Sequence, residues 1–293
     1  MRKQFIKTIE DLMAHDERIV LLLGDIGVFG FRNAFKLYPE RTYNIGICEQ
    51  AMTSMAAGLA KEGLIPVLHS IVPFVVERCY EQLKIDLCYQ NLPANIVSVG
   101  SSYDYAALGC THHAPGDVAV LRALPGMGIV VPGTPLEFDR LFRAAYAESH
   151  PTYFRLSERN NEQSCEVEFG RAKVVQRGSL ATVIVVGPTL TTVLEATKDL
   201  DVTTLYYTTV APFDGDTLRE NCQRGKIILV EPYYAGVMVA DIHLALGYTQ
   251  VMINSIGVPH RFLTDYGYAE QHDKTIGLTA VNIRTRVEEV IRA

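Results

Sequence analysis

Residues 41–63 read RTYNIGICEQAMTSMAAGLAKEG. After Cys48 the small and apolar residues recur at helical spacing and Gly63 supplies a C-terminal stop, which predicts a helix over 48–62. Short apolar runs flank it, at 43–46 and 65–69, and read as strands. The same alternation runs outward in both directions. Further strands are expected at 18–23, 95–99, 128–131 and 152–155, with helices near 2–14, 74–89, 117–123 and 135–148. Strands regularly separated by helices point to a parallel sheet covered on both faces, so the class is α/β.

The period fails over 160–180, NNEQSCEVEFGRAKVVQRGSL, which reads as a linker that includes a β-hairpin. Beyond it the alternation restarts, with strands at 181–186, 202–207 and 226–230, helices at 189–200, 214–224 and 236–246, and a final helix near 279–292 capped by Thr279. The expected organisation is two doubly wound units, residues 1–160 and 181–293, joined by a linker at 161–180.

Composition narrows the functions open to such a chain. Its 293 residues are 48% hydrophobic and 20% charged, in the globular range. The net charge is −6 and the 27 Lys and Arg are scattered, so no basic stripe is present to meet a nucleic-acid backbone. The most apolar stretch, 64–76, is interrupted by Pro66, His69 and Pro73 and falls short of the roughly 20 residues of a membrane span. The first twenty residues form an amphipathic pattern with Glu10, Asp11 and Asp16, unlike a signal peptide, and a cytoplasmic location is expected. Six cysteines stand far apart, with no C-x-x-C pair and no metal-ligand spacing, and reduced thiols are expected.

Four stretches carry a more specific signal: 41–63, quoted above; SIVPFVVERCYEQLKID at 70–86; GCTHHAPGDVAVLRALPGMGIVVPGTPLE at 109–137; and VIVVGPTLTTVLEA with TTVAPFDGDTL at 183–196 and 208–218. In collinear order over nearly the whole chain they resemble the C-terminal portion of the transketolase family. The first resembles that family's N-x-G-I-x-E-Q block, the third its T-H-Q block. The family's G-D-G and following Asn, which carry the metal and the diphosphate, have no counterpart; Gly24-Asp25-Ile26-Gly27 fails at the third position. The resemblance therefore implies the second subunit of a split transketolase, a pyrimidine-binding domain plus a transketolase C-terminal domain. Thiamine diphosphate would be shared with an N-terminal, diphosphate-binding partner subunit that holds Mg2+ or Ca2+. Self-association into an α2β2-type complex and a small sugar substrate are implied with it. A beta subunit of a 2-oxo acid dehydrogenase-type complex and a non-catalytic scaffold subunit are the alternatives.

Candidate residues follow from the matched blocks. Glu49 begins an apolar, small-residue helix, where burial favours its neutral form and the helix N-terminus its charge. The resemblance gives it the hydrogen bond to the ring nitrogen of the cofactor's aminopyrimidine, with Ile47 beside it. Phe74 and Tyr80 match aromatic positions that pack on that ring, or else pack in the core; Glu77 stands where many relatives carry another aromatic. His112 matches the histidine that faces the reacting carbon, with His113 next to it. The loop before them, GSSYDYAALG, departs from the family's acidic turn, so an ordinary pentose phosphate is not implied. Arg155 or Arg159, blurred by one inserted residue, would grip a substrate phosphate. Asp25, at the end of the first strand, is a ligand-binding or capping residue. Glu231 reads as a structural acid.

Overall fold

The computed structural model describes all 293 residues. Two sheets organise them. The first has seven strands and holds β1 (Ile19–Leu23), β2 (Thr42–Asn44), β3 (Ile65–Ile71), β4 (Asn95–Val99), β5 (Gly128–Val130) and β6 (Thr152–Arg155). The second has β7 (Lys173–Gln176), β8 (Ala181–Val186), β9 (Val202–Tyr207), β11 (Lys226–Tyr234) and β12 (Met252–Val258), whereas β10 (Thr209–Ala211) joins the first sheet. The orders are β10-β5-β6-β4-β3-β1-β2 and β12-β11-β8-β9-β7. Only the edge pairs β10·β5 and β7·β9 are antiparallel. The α/β class expected from the sequence is what the chain adopts, and the antiparallel edge pairs are an addition to the parallel sheets that the pattern implied.

β1, IVLLL, is buried at every position because helices cover both faces of the sheet. One core contains Phe5, Ile9 and Met13 of the Arg2–Met13 helix against Leu21, Leu23 and Val97. The opposite face sets Met52 and Ala56 of the Glu49–Lys61 helix against Val20, Leu22 and Leu68. That helix is rich in Ala because it lies close to β3, and Gly63 takes φ +81 just beyond its end.

Two expectations need correction, and two elements went unread. The segment 160–180 contains no hairpin: β7 pairs with β9 at the edge of the second sheet, a pairing that local sequence does not reveal. The expected helix at 74–89 is a wide-turn helix, broken around Cys79, with i→i+5 hydrogen bonds from Arg78 N–H to Pro73 O and from Tyr89 N–H to Lys84 O. The strand β12 and the Ala269–Ile276 helix have no counterpart in the sequence pattern read above. No helix is long and apolar enough to cross a membrane.

Candidate active site

The site forms beyond the C-terminal ends of β1 and β3, where open α/β sheets place ligands. Glu49 opens its helix just after Gly46, whose φ of +76 turns the chain back from β2. Its side chain is 1% exposed, yet it carries a charge partner at the surface: Arg78 Nη1 donates to Oε2 at 2.8 Å, and the Arg78 side chain is 35% exposed. Ser70, near the end of β3, donates from Oγ to Glu49 Oε1 at 3.0 Å. Gly24, just past β1, is what admits this arrangement. A Cβ there would lie 3.2 Å from Ser70 Oγ and 3.4 Å from Glu49 Oε1.

Arg78 also lies over the Phe74 ring, its Cζ 4.3 Å from the centroid, and Phe74 meets His112 edge-on with centroids 5.5 Å apart. A buried carboxylate, a cation, an aromatic face and an imidazole thus form one contiguous group. His112 is half-buried and its Nδ1 lies 3.0 Å from Thr111 Oγ1. Its loop turns at Gly109, φ +73, a conformation that glycine adopts without strain and where a Cβ would strike the Tyr266 ring.

His113 faces the other way. It is 7% exposed, neither ring nitrogen has a hydrogen-bond partner, and it packs on His272 with centroids 5.5 Å apart. Burial, then the neighbouring imidazoles of His272 and His112, push its pKa down. His272 comes from the second half of the chain, as do Tyr234, whose N–H donates to Pro115 O at 2.9 Å, and Pro232, whose carbonyl accepts from Ser102 Oγ. The second sheet's residues therefore fix the loop that presents His112.

The remaining sequence candidates scatter. Tyr80 packs against the core containing Met52 and Leu83, while Phe74 packs against the opposite one, so the two rings do not share a face. Ile47 is 68% exposed at the rim. Asp25 exchanges hydrogen bonds with Asn44, 3.0 Å from its N–H and 3.2 Å to its Oδ1, tying the end of β1 to the end of β2. The phosphate role expected of Arg155 is not supported by its surroundings: it is 1% exposed, with Nε on Asp117 Oδ2 at 2.7 Å and Nη2 on Ser102 Oγ at 2.7 Å. Arg159 is paired with Asp273 at 2.8 Å and lies over Tyr103. Glu231 fits its expected structural part, with the backbone N–H groups of Gly236 and Met238 donating to it.

Sequence reading missed Arg78, Ser70 and Asp117. Arg78 had a signal: it stands four residues after Phe74, and helical residues at i and i+4 are neighbours on one face. No cluster of three or more His, Cys, Asp or Glu side chains suited to a metal ion is present.

Two α/β sheets, with a buried carboxylate, an aromatic face and a loop histidine gathered at the C-terminal edge of one of them, give the chain the architecture of a transketolase-type subunit. Residues 1–163 match the family model described as transketolase, pyrimidine binding domain. The chain belongs to the transketolase family, as a subunit corresponding to its C-terminal half. It is 35% identical to the "Uncharacterized 33.6 kDa protein in fasciation locus" of Rhodococcoides fascians, covering 98% of this chain and 93% of that one. It is 30% identical to a protein of Phocaeicola vulgatus named as one of the subunits of an apulose-4-phosphate transketolase, covering 88% and 87%. A solved structure described as "Split gene transketolase, inactive beta4 tetramer" superposes with a TM-score of 0.86 at 24% identity, over 99% of this chain and 97% of that one.

Proposed function

We propose that this chain is the C-terminal subunit of a thiamine-diphosphate-dependent split transketolase, which moves a two-carbon ketol unit from a ketose to an aldehyde acceptor. The observation that carries this reading is the Glu49 carboxylate, buried beside Ser70 and paired with a cation that also lies on Phe74. A flat, weakly basic ring entering between Phe74 and Glu49 would displace Arg78 and find both an aromatic face and a proton-sharing carboxylate. Residues present therefore suit the aminopyrimidine half of the cofactor, and a partner subunit holding the diphosphate with Mg2+ or Ca2+ completes it.

When bound, thiamine diphosphate supplies the electron sink for the two-carbon unit. This chain's part is to position and to move protons. Glu49 holds a proton against the ring nitrogen, and its burial keeps water from competing. Phe74 orients the ring. His112, edge-on to Phe74, lies where it can give or take a proton at the oxygen of the reacting carbon. The naming of the Phocaeicola vulgatus relative as one subunit among several supports a two-polypeptide enzyme. Exposed Met55, Ile47 and Ile85 around the Glu49–Lys61 helix offer an apolar face for self-association in an α2β2-type complex.

The test is Glu49→Gln in the reconstituted complex, assayed with a ketose donor and, separately, with a 2-oxo acid. A loss of ketose turnover of about 100-fold or more, with the melting midpoint retained, is expected. Unchanged turnover would sink the catalytic reading, and activity on the 2-oxo acid alone would favour the dehydrogenase-type alternative.

A further inference from the structure

Arg78 is the residue of the site that an entering cofactor ring displaces. A buried carboxylate needs partners, and Glu49 takes hydrogen bonds from two side chains, Ser70 Oγ on Oε1 at 3.0 Å and Arg78 Nη1 on Oε2 at 2.8 Å. The Ser70 side chain is buried on β3. Arg78 is held less firmly. Its side chain is 35% exposed, and it stands one residue before Cys79, where φ −111 and ψ 25 break the helical run. Of the two partners, the cation is the one that can swing away.

The manner of its pairing is specific. The guanidinium carbon lies 4.3 Å from the Phe74 ring centroid while Nη1 reaches Glu49. One flat group thus lays its face on an aromatic ring and donates N–H from its edge to a buried carboxylate. A guanidinium does both because it is planar, delocalised and carries its donors on the rim. The aminopyrimidine of the proposed function presents the same two features, a flat π face for Phe74 and an edge nitrogen for Glu49. Carbon atoms in contact already stand about 3.5–4.0 Å apart, so no second planar group fits between Arg78 and Phe74. The rest of the Phe74 ring is engaged as well, since it meets His112 edge-on and packs against the core that contains Val97. Arg78 and a bound ring therefore compete for one seat.

We propose that Arg78 is the resident occupant of the aminopyrimidine seat and a determinant of cofactor affinity: its guanidinium imitates the ring while the site is empty, keeps the Glu49 carboxylate paired, and yields when a planar, weakly basic heteroaromatic enters. This rests on the cofactor site proposed above and deepens it.

The experiment uses the complex of this chain with its diphosphate-binding partner, stripped of cofactor, with thiamine diphosphate and Mg2+ as the probe. Calorimetric titration gives Kd and stopped-flow mixing gives the association rate. A seat closed by a part-exposed ion pair and a cation–π contact lowers apparent affinity by about 5- to 30-fold. Arg78→Met should tighten Kd by that factor, with the gain in the association rate and the dissociation rate within about 2-fold of wild type. Arg78→Lys keeps a countercharge for Glu49 but has no flat face, and should show most of the same gain. It also carries the test if Arg78→Met, which leaves Glu49 without its cation, does not fold. Weaker binding by the variants would make Arg78 a residue that holds the cofactor and would overturn the proposal. An unchanged association rate, or a lysine variant that matches wild type, would overturn it too, the latter by reducing Arg78 to a plain countercharge. Absence of thiamine diphosphate binding in wild type and both variants alike would instead overturn the cofactor reading on which the proposal rests.

Discussion

Replacing Arg155 with methionine removes a guanidinium and leaves the volume nearly filled. Arg155 and Asp117 are 1% and 0% exposed and meet at 2.7 Å. Asp117 Oδ2 also accepts from Tyr153 OH at 2.8 Å, whereas its Oδ1 has no partner. Without Arg155 the carboxylate is left with a single phenol donor in a site that water does not reach. Breaking a buried pair from one side costs about 3–5 kcal/mol. That is a large part of the roughly 5–15 kcal/mol that stabilises a typical protein of this kind. The lost stacking on Tyr233, 5.5 Å from the guanidinium carbon, adds to it. Arg155→Met together with Asp117→Leu removes both charges, and most of the loss should return because the uncompensated ion is gone. The assay is urea unfolding of wild type and both variants followed by far-ultraviolet circular dichroism, reading the midpoint of the first transition. A single variant as stable as wild type, with only a raised KM for a phosphorylated substrate, would refute the reasoning and restore Arg155 to a substrate phosphate.

Three further outcomes follow from the histidines. His112→Ala should lower kcat of the complex about 100-fold with no change in melting midpoint, since the ring is half-buried at the rim. His113→Ala should instead lower the midpoint, because it empties a buried contact with His272, and the reverse ranking would mean that the loop is read one residue out of register. His69 is wholly buried, with Nδ1 2.8 Å from Val97 O, and burial pushes its pKa down to about 4. A histidine with a depressed folded-state value contributes stability that is complete above its unfolded value of about 6.5 and is lost as pH falls toward 4. Histidine ring NMR of the folded chain should show His69 neutral down to about pH 5, and titration of that ring near 6.5 would contradict its burial.

Much of this was legible in residues 41–63, where helical spacing, the Gly63 stop and the flanking apolar runs declared a strand-helix-strand unit, and where the block around Glu49 singled out its carboxylate. Local patterns carry such information because they record which faces are covered. They do not record partners far along the chain. Arg155 reads as a free strand-end cation until Asp117, 38 residues away, is seen beside it. His113 and His272 are 159 positions apart, and only the packing of the second half on the loop at 101–117 joins them. β10 leaves its own half of the chain to edge the first sheet, and β7 turns an expected linker hairpin into an edge strand, both by pairing with distant partners. Arg78 stands four residues after Phe74, a spacing that puts both on one helix face, but its pairing with Glu49, 29 positions away, is not written in that local pattern.

The central claim is that this chain holds the aminopyrimidine half of a site whose charged half lies on another polypeptide. Calorimetric titration of thiamine diphosphate with Mg2+, into the isolated chain and into the chain mixed with its diphosphate-binding partner, tests it most directly. The account predicts no binding at micromolar concentration to the chain alone and saturable binding to the mixture, abolished or strongly weakened by Phe74→Ala. Micromolar binding by the isolated chain would contradict it.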